Sequence, residues 1–423
     1  MDNNKESEKK EDVTQRDSCR IQVKPSNKNS QSDTKKLSTS KTTLRRKVTR
    51  RQKGGSKIVH NGTNRKRSGV STPAPPHEKS LVLKLLQIVK AQNPSLNQKD
   101  SGPSQSSLLG NILDDCIKKG IEGLTIEYFS ISRSKVEPAE YVNFLLPENR
   151  PKNRYRDILC LENKRVKLKD IGNDYIHANY VKTPRSEKSF ICTQGPTTKS
   201  CLDFWKMCIQ EDVEYIVMLC QFEENNIKKC AKYYPYDNGC TLSFGSVIIN
   251  NEKINESSDI NLRDINLKIQ HEGGTKKIRH LQYLGWPDKG VPDLSDTLLN
   301  MLDIVKKSNK PVVVHCSAGI GRTGTFVLIQ NIMERIHNPE IGGNDTSINI
   351  LKEMRSQRYG VVQTDFQYIF AHRLVLASYI KTKKIDVEEN KDLNRWLTFY
   401  KKIYEKYTTT CKTTKTGTVE EDT

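Results

Sequence analysis

The sequence predicts an α/β domain over residues 105–382, a twisted mixed β-sheet flanked by helices. Two observations lead there. Val312, Val313 and Val314 form a β-branched apolar run of the kind that fills a buried strand; a loop of small residues follows, then an apolar helical stretch from Thr323 to Ile336. Other strand-like runs, at 215–220 and 277–283, are interspersed with helical spacing at Leu109, Ile112, Leu113 and Cys116 and over 366–380.

The flanks read differently. Residues 1–80 hold 21 Lys/Arg against 8 Asp/Glu and few apolar residues, so the sequence predicts a disordered basic tail there. Between Lys41 and Arg67 stand eleven basic residues and no acidic one. Three readings stay open for that run: contact with acidic lipid or nucleic acid, an import-receptor signal, or a solvated tail. Residues 81–104 read as a short helix and a linker, the helix either docking a partner or packing weakly. Residues 383–423 read as a charged tail in which Trp396, Phe399, Tyr400 and Tyr404 hint at one amphipathic helix. No run of ~18 apolar residues suggests a membrane span. The N-terminus lacks the apolar core of a secretory signal. Eleven irregularly spaced cysteines do not suggest a disulfide framework. The expected location is intracellular, cytoplasmic first, with the nucleus as the alternative through the basic run.

The chemistry centres on His315-Cys316-Ser317-Ala318-Gly319-Ile320-Gly321-Arg322-Thr323-Gly324. A strand, a Gly-rich loop and a helix start make an anion cradle, with backbone N–H groups pointing inward and the helix adding its positive end. Cys316 sits at its mouth, and Arg322 closes it six residues later. The same field favours a thiolate and a bound phosphate dianion. Arginine offers a planar fork to two phosphate oxygens, which lysine cannot imitate. The implied reaction is nucleophilic displacement at phosphorus.

This segment resembles the active-site loop of the protein tyrosine phosphatase family, single-domain and non-receptor in type. Other segments resemble the family in the family's order. Lys152-Asn153-Arg154-Tyr155-Arg156-Asp157 is similar to its substrate-recognition loop. There Tyr155 would wall a slot deep enough for phosphotyrosine but not for phosphoserine, and Asp157 would accept hydrogen bonds from the substrate backbone. Gly285-Trp286-Pro287-Asp288-Lys289-Gly290-Val291-Pro292 is similar to its acid loop. Trp286 would anchor a hinged closure, and Asp288 would protonate the leaving tyrosyl oxygen; Asp293 is the decoy acid. Glu224 matches the glutamate that pairs with the cradle arginine.

The resemblance also implies that Gln363 positions water, with Gln367 one turn on in support, and that Thr323 donates its hydroxyl to the sulfur. Ser317, Ala318, Gly319, Ile320 and Gly321 would bind phosphate through their amides, and His315 would brace the loop. One departure stands out: in Asp174-Tyr175-Ile176-His177-Ala178-Asn179, His177 occupies the family's usual asparagine position, which implies altered bracing rather than lost activity. No metal or cofactor is implied, because fixed N–H dipoles and Arg322 supply the charge. The implied function is hydrolysis of phosphotyrosine on proteins through a phosphocysteine intermediate, with phosphotyrosine-containing proteins as partners. Two alternatives remain: a catalytically dead phosphotyrosine-binding domain, and a phosphatase for phosphoserine or lipid phosphate.

Overall fold

The computed structural model describes residues 80–97, 111–131, 136–169, 172–287, 290–338, 340 and 345–416. Residues 1–79, with the basic run, lie outside the described residues, as do Asp288 and Lys289.

A nine-stranded mixed sheet forms the centre, in the order β1-β2-β3-β11-β4-β10-β9-β8-β7. Its strands are β1 (Arg165–Lys167), β2 (Tyr175–Thr183), β3 (Ser186–Thr193), β4 (Tyr215–Met218), β7 (Thr241–Phe244), β8 (Val247–Asn255), β9 (Leu262–His271), β10 (Gly274–Tyr283) and β11 (Val312–His315). A separate hairpin pairs β5 (Glu223–Glu224) with β6 (Ile227–Lys228). β11 lies parallel to β3 on one side and to β4 on the other, and β4 lies parallel to β10. The remaining neighbours pair antiparallel. Every residue of β11 is fully buried, as a parallel central strand covered on both faces must be. Its apolar run therefore has no alternation.

The helices are α1 (Leu81–Gln92), α2 (Asn111–Ser130), α3 (Val142–Leu145), α4 (Cys201–Gln210), α5 (Thr297–Val305), α6 (Gly321–His337), α7 (Ser347–Gln357), α8 (Asp365–Lys383) and α9 (Lys391–Thr416). α6 follows β11 directly and packs on α8, which packs on α2. α2 kinks at Gly120, whose φ of 65° only glycine adopts freely. α9 lies on α1 and α2, burying Leu393, Trp396, Phe399, Tyr400 and Ile403. Their spacing puts one face of the helix on the core.

Asn250 to Asn255, rich in asparagine, lies within β8. Asn251 is fully buried and donates through Nδ2 to the Pro235 and Tyr236 carbonyls, while Asn255 bonds Asp264 and Asn266 across the sheet. Side-chain partners outside the strand override the weak β-propensity of asparagine.

Candidate active site

β11 delivers Cys316 to the C-terminal edge of the sheet, between β3 and β4. The chain then turns through Ser317 to Ile320 and enters α6. No side chain caps that helix, so its first N–H groups face the loop. Cys316 is buried, and its Sγ accepts the Gly319 N–H at 3.2 Å. Gly319 holds φ at +70°, and a Cβ there would lie 2.0 Å from the Thr193 carbonyl oxygen. Replacing Gly319 by alanine is expected to destabilise the protein by about 4 kcal/mol or more and to abolish phosphate binding. A denaturant midpoint measured beside phosphate titration checks it.

The loop's N–H groups can face inward only if its carbonyls are held outward. Arg358 does this: Nε donates to the Gly319 oxygen at 2.6 Å and Nη2 to the Ala318 oxygen at 3.2 Å. The Ser317 oxygen accepts from the Gly195 N–H at 2.9 Å. Arg358 is fully buried, and among the described residues no carboxylate pairs with it; Nη1 goes to Asn179 Oδ1 at 2.8 Å. Burial holds its guanidinium below the usual value.

His177 joins this strut to the recognition loop. Its Nε2 bonds the Ile158 oxygen at 2.9 Å, and its Nδ1 lies 3.4 Å from Arg358 Nη2. Arginine has only donors, so Nδ1 accepts and Nε2 carries the proton. Burial and then Arg358 push its pKa down to about 3, so the ring is neutral at physiological pH.

Arg322 is held from the opposite side. Glu224 takes it with both oxygens, at 2.5 Å from Nη1 and 2.8 Å from Nη2, and Nη1 also reaches the Leu219 oxygen at 3.0 Å. Burial works against the charge, but Glu224 outweighs it and keeps the guanidinium above its ordinary value. The β5–β6 hairpin thus fixes the plane of the arginine.

Tyr155 is half-buried, and its hydroxyl lies 2.8 Å from Ser317 Oγ, which itself donates to the Lys229 oxygen at 2.9 Å. Arg154 pins the same segment through the Gly195 and Pro196 oxygens at 2.9 and 2.6 Å. Asp157 is exposed. Gln363 and Gln367 meet over the helix start: a Cβ on Gly321 would lie 3.0 Å from Gln363 Oε1 and 3.2 Å from Gln367 Nε2.

The family model described as protein-tyrosine phosphatase matches residues 149–377. The chain belongs to the protein-tyrosine phosphatase family. Within that family it is 37% identical over 240 residues to tyrosine-protein phosphatase non-receptor type 2 of Homo sapiens, covering 54% of this chain and 56% of the relative. It is 37% identical over 239 residues to phosphatidylinositol phosphatase PTPRQ of Rattus norvegicus, covering 55% of this chain and 10% of that one. The chain thus spans less than two thirds of either relative's length. A solved structure described as PTPN18 in complex with HER2-pY1248 phosphopeptides is similar at a TM-score of 0.57 and 29% identity, covering 60% of this chain and 99% of that one.

The phosphatase-family loop therefore brings together Cys316, Arg322, Glu224, Tyr155, Gln363 and Gln367, which are far apart in sequence. His315 braces it: Nδ1 lies 3.2 Å from the Cys316 oxygen and Nε2 2.7 Å from the Tyr233 hydroxyl. Burial pushes His315 down to about 4. Trp286 is buried, and its Nε1 donates to the Gly290 oxygen at 3.0 Å, closing the acid loop across its own neck. Asp288 itself lies outside the described residues.

Among the described residues the buried Thr323 hydroxyl has no hydrogen-bond partner, and the sulfur accepts the Gly319 N–H. The sequence assigns no role to Arg358 or Tyr233. An arginine ending a helix looks like a solvated cation, and nothing local says that it turns inward. Val362 went unread too. It adopts φ +57°, rare for a β-branched residue, held by its N–H on the Ile320 oxygen and by Tyr128 and Arg355 on its own oxygen. That strained turn aims Gln363 at the loop.

Proposed function

We propose that this chain hydrolyses phosphotyrosine on proteins through a phosphocysteine intermediate, in a catalytic domain spanning residues 105–382. One observation carries the reading: Cys316 lies buried under an inward-facing amide, in a loop whose arginine is fixed by Glu224. In the first step the Cys316 thiolate attacks phosphorus, with the equatorial oxygens held by Arg322 and the amides from Ser317 to Gly321. The phosphorus–oxygen bond breaks, and Asp288 gives its proton to the tyrosyl oxygen. In the second step a water aligned by Gln363 and Gln367 attacks phosphorus and returns a proton to Asp288. The sulfur leaves as thiolate, and the unpartnered Thr323 hydroxyl donates to it.

Tyr155 favours phosphotyrosine over shorter phosphoesters. Its hydroxyl is tied to Ser317, so the ring stands as a fixed wall beside the cradle and sets the depth a substrate must reach. Initial rates on phosphotyrosine and phosphothreonine peptides of one sequence, and on a short-chain phosphoinositide, test it. Turnover of the phosphotyrosine peptide alone is the expected result; a faster rate on the phosphoinositide would move the assignment to lipid phosphate. Asp288→Ala should lower kcat about 10²- to 10⁴-fold and leave phosphotyrosine proteins bound long enough to be recovered.

A further inference from the structure

We propose that Arg263, stacked on Tyr236, is a second contact point for the substrate protein and reads an acidic side chain roughly three to five residues from the phosphotyrosine. The proposal deepens the phosphotyrosine reading of Cys316 and rests on it. Arg263 lies in β9, opposite Gln282 of β10. Its guanidinium carbon is 3.6 Å from the centroid of the Tyr236 ring, and Nη2 donates to the Tyr236 oxygen. The ring face and the carbonyl together hold the cation in one place. Tyr236 is 43% exposed and stands against Phe222, with centroids 6.4 Å apart. Phe222 leads into the β5–β6 hairpin, whose Glu224 fixes Arg322, so the exposed ridge is tied to the cradle.

This arginine has no counter-ion. Among the described residues no carboxylate pairs with it, Nε is buried without a hydrogen-bond partner, and Nη1 makes no hydrogen bond. The next residue, Asp264, faces the other way in the strand's alternation and gives both oxygens to Arg279. A half-buried guanidinium with an open donor and no partner favours an anionic acceptor brought from outside.

Register places this donor relative to the nucleophile. His315 pairs with Met218, Met218 with Gln282, and Gln282 with Arg263, one row across four strands at the edge where Cys316 leaves β11. Three strand spacings of about 4.8 Å put the arginine about 14 Å along that edge from the cradle. The segment from Tyr233 to Tyr236 follows the same row, its side chains and carbonyl bonding His315, Gln282 and Arg263 in turn. The recognition loop is anchored on the opposite side of β11, where Arg154 holds the Gly195 and Pro196 oxygens just beyond β3. A substrate segment passing from that loop across Cys316 runs toward Arg263. An extended chain rises about 3.3 Å per residue, so a side chain about four residues from the phosphotyrosine reaches it.

The test measures kcat/KM of the full chain on phosphotyrosine peptides of one uncharged sequence, with a single glutamate set in turn at each position on either flank. Each rate is divided by that of the peptide with alanine at the same place, so a general change in activity cancels. One placement on one flank, in the window above, is expected to gain about fivefold, and high salt should remove the gain. Arg263→Gln should bring the ratio to about one, and Arg263→Glu should reverse it, so that lysine at that position becomes the better substrate. A wild-type ratio within about twofold of one at every placement would overturn the proposal and leave the phosphatase reading standing. A preference that both Arg263 variants retain would overturn it as well, since another residue would then read the acid. Wild-type protein inert on every phosphopeptide would instead overturn the phosphatase reading and the second contact with it.

Discussion

Cys316→Ser is expected to abolish turnover, by roughly 10⁵- to 10⁶-fold, while leaving the fold and phosphopeptide binding in place. The separation follows from the geometry. In the proposed mechanism phosphate is held by the loop amides and by Arg322, groups that Arg358, His177 and Glu224 brace, and among the described residues none of these three bonds the sulfur. Among the described residues the sulfur accepts one hydrogen bond, from the Gly319 N–H, and a serine oxygen can accept it too. A serine hydroxyl in the same field stays protonated, so the loop would bind phosphate and not attack it. Turnover of an aryl phosphate and fluorescence polarisation of a labelled phosphotyrosine peptide, measured on one preparation, check both halves. Residual turnover above background would remove the cysteine from the mechanism; lost binding with an intact melting curve would show that the sulfur itself holds the loop open.

The second large effect is expected at Arg322. Arg322→Lys keeps the positive charge and removes the fork. Glu224 fixes the guanidinium through two parallel bonds, and an ammonium cannot occupy both positions while also reaching the phosphate. The loss should be about 10³- to 10⁵-fold in kcat/KM, spread over both constants, because in the proposed mechanism the group binds phosphate in the ground state and meets growing charge in the transition state. Glu224→Gln keeps the shape but not the charge and should cost less. If lysine at 322 supports turnover within tenfold of arginine, bidentate recognition is not what the loop uses.

The cradle was legible because its parts are contiguous: one strand, four small residues and one helix start supply the amides, the nucleophile and the arginine within eleven residues. The Trp286–Gly290 bond is local as well, four residues apart, which is why the acid loop reads as a unit. The C-terminal helix α9 was half legible. The positions 396, 400 and 404 announce a helix with an aromatic face, yet nothing in them names Asp293, 111 residues earlier, as the partner of Tyr404.

By itself the sequence determined the α/β class and the loop that carries Cys316 and Arg322, because backbone geometry over a few residues is dictated by the residues themselves. Only the tertiary structure decided what surrounds them. The sheet order sets β11 between β3 and β4, so that Glu224, Arg358 and His177 converge on one loop from three directions. Those partnerships depend on which elements lie side by side, and a hydrogen bond of about 3 Å has no trace in sequence separations of 19, 39 or 98 residues.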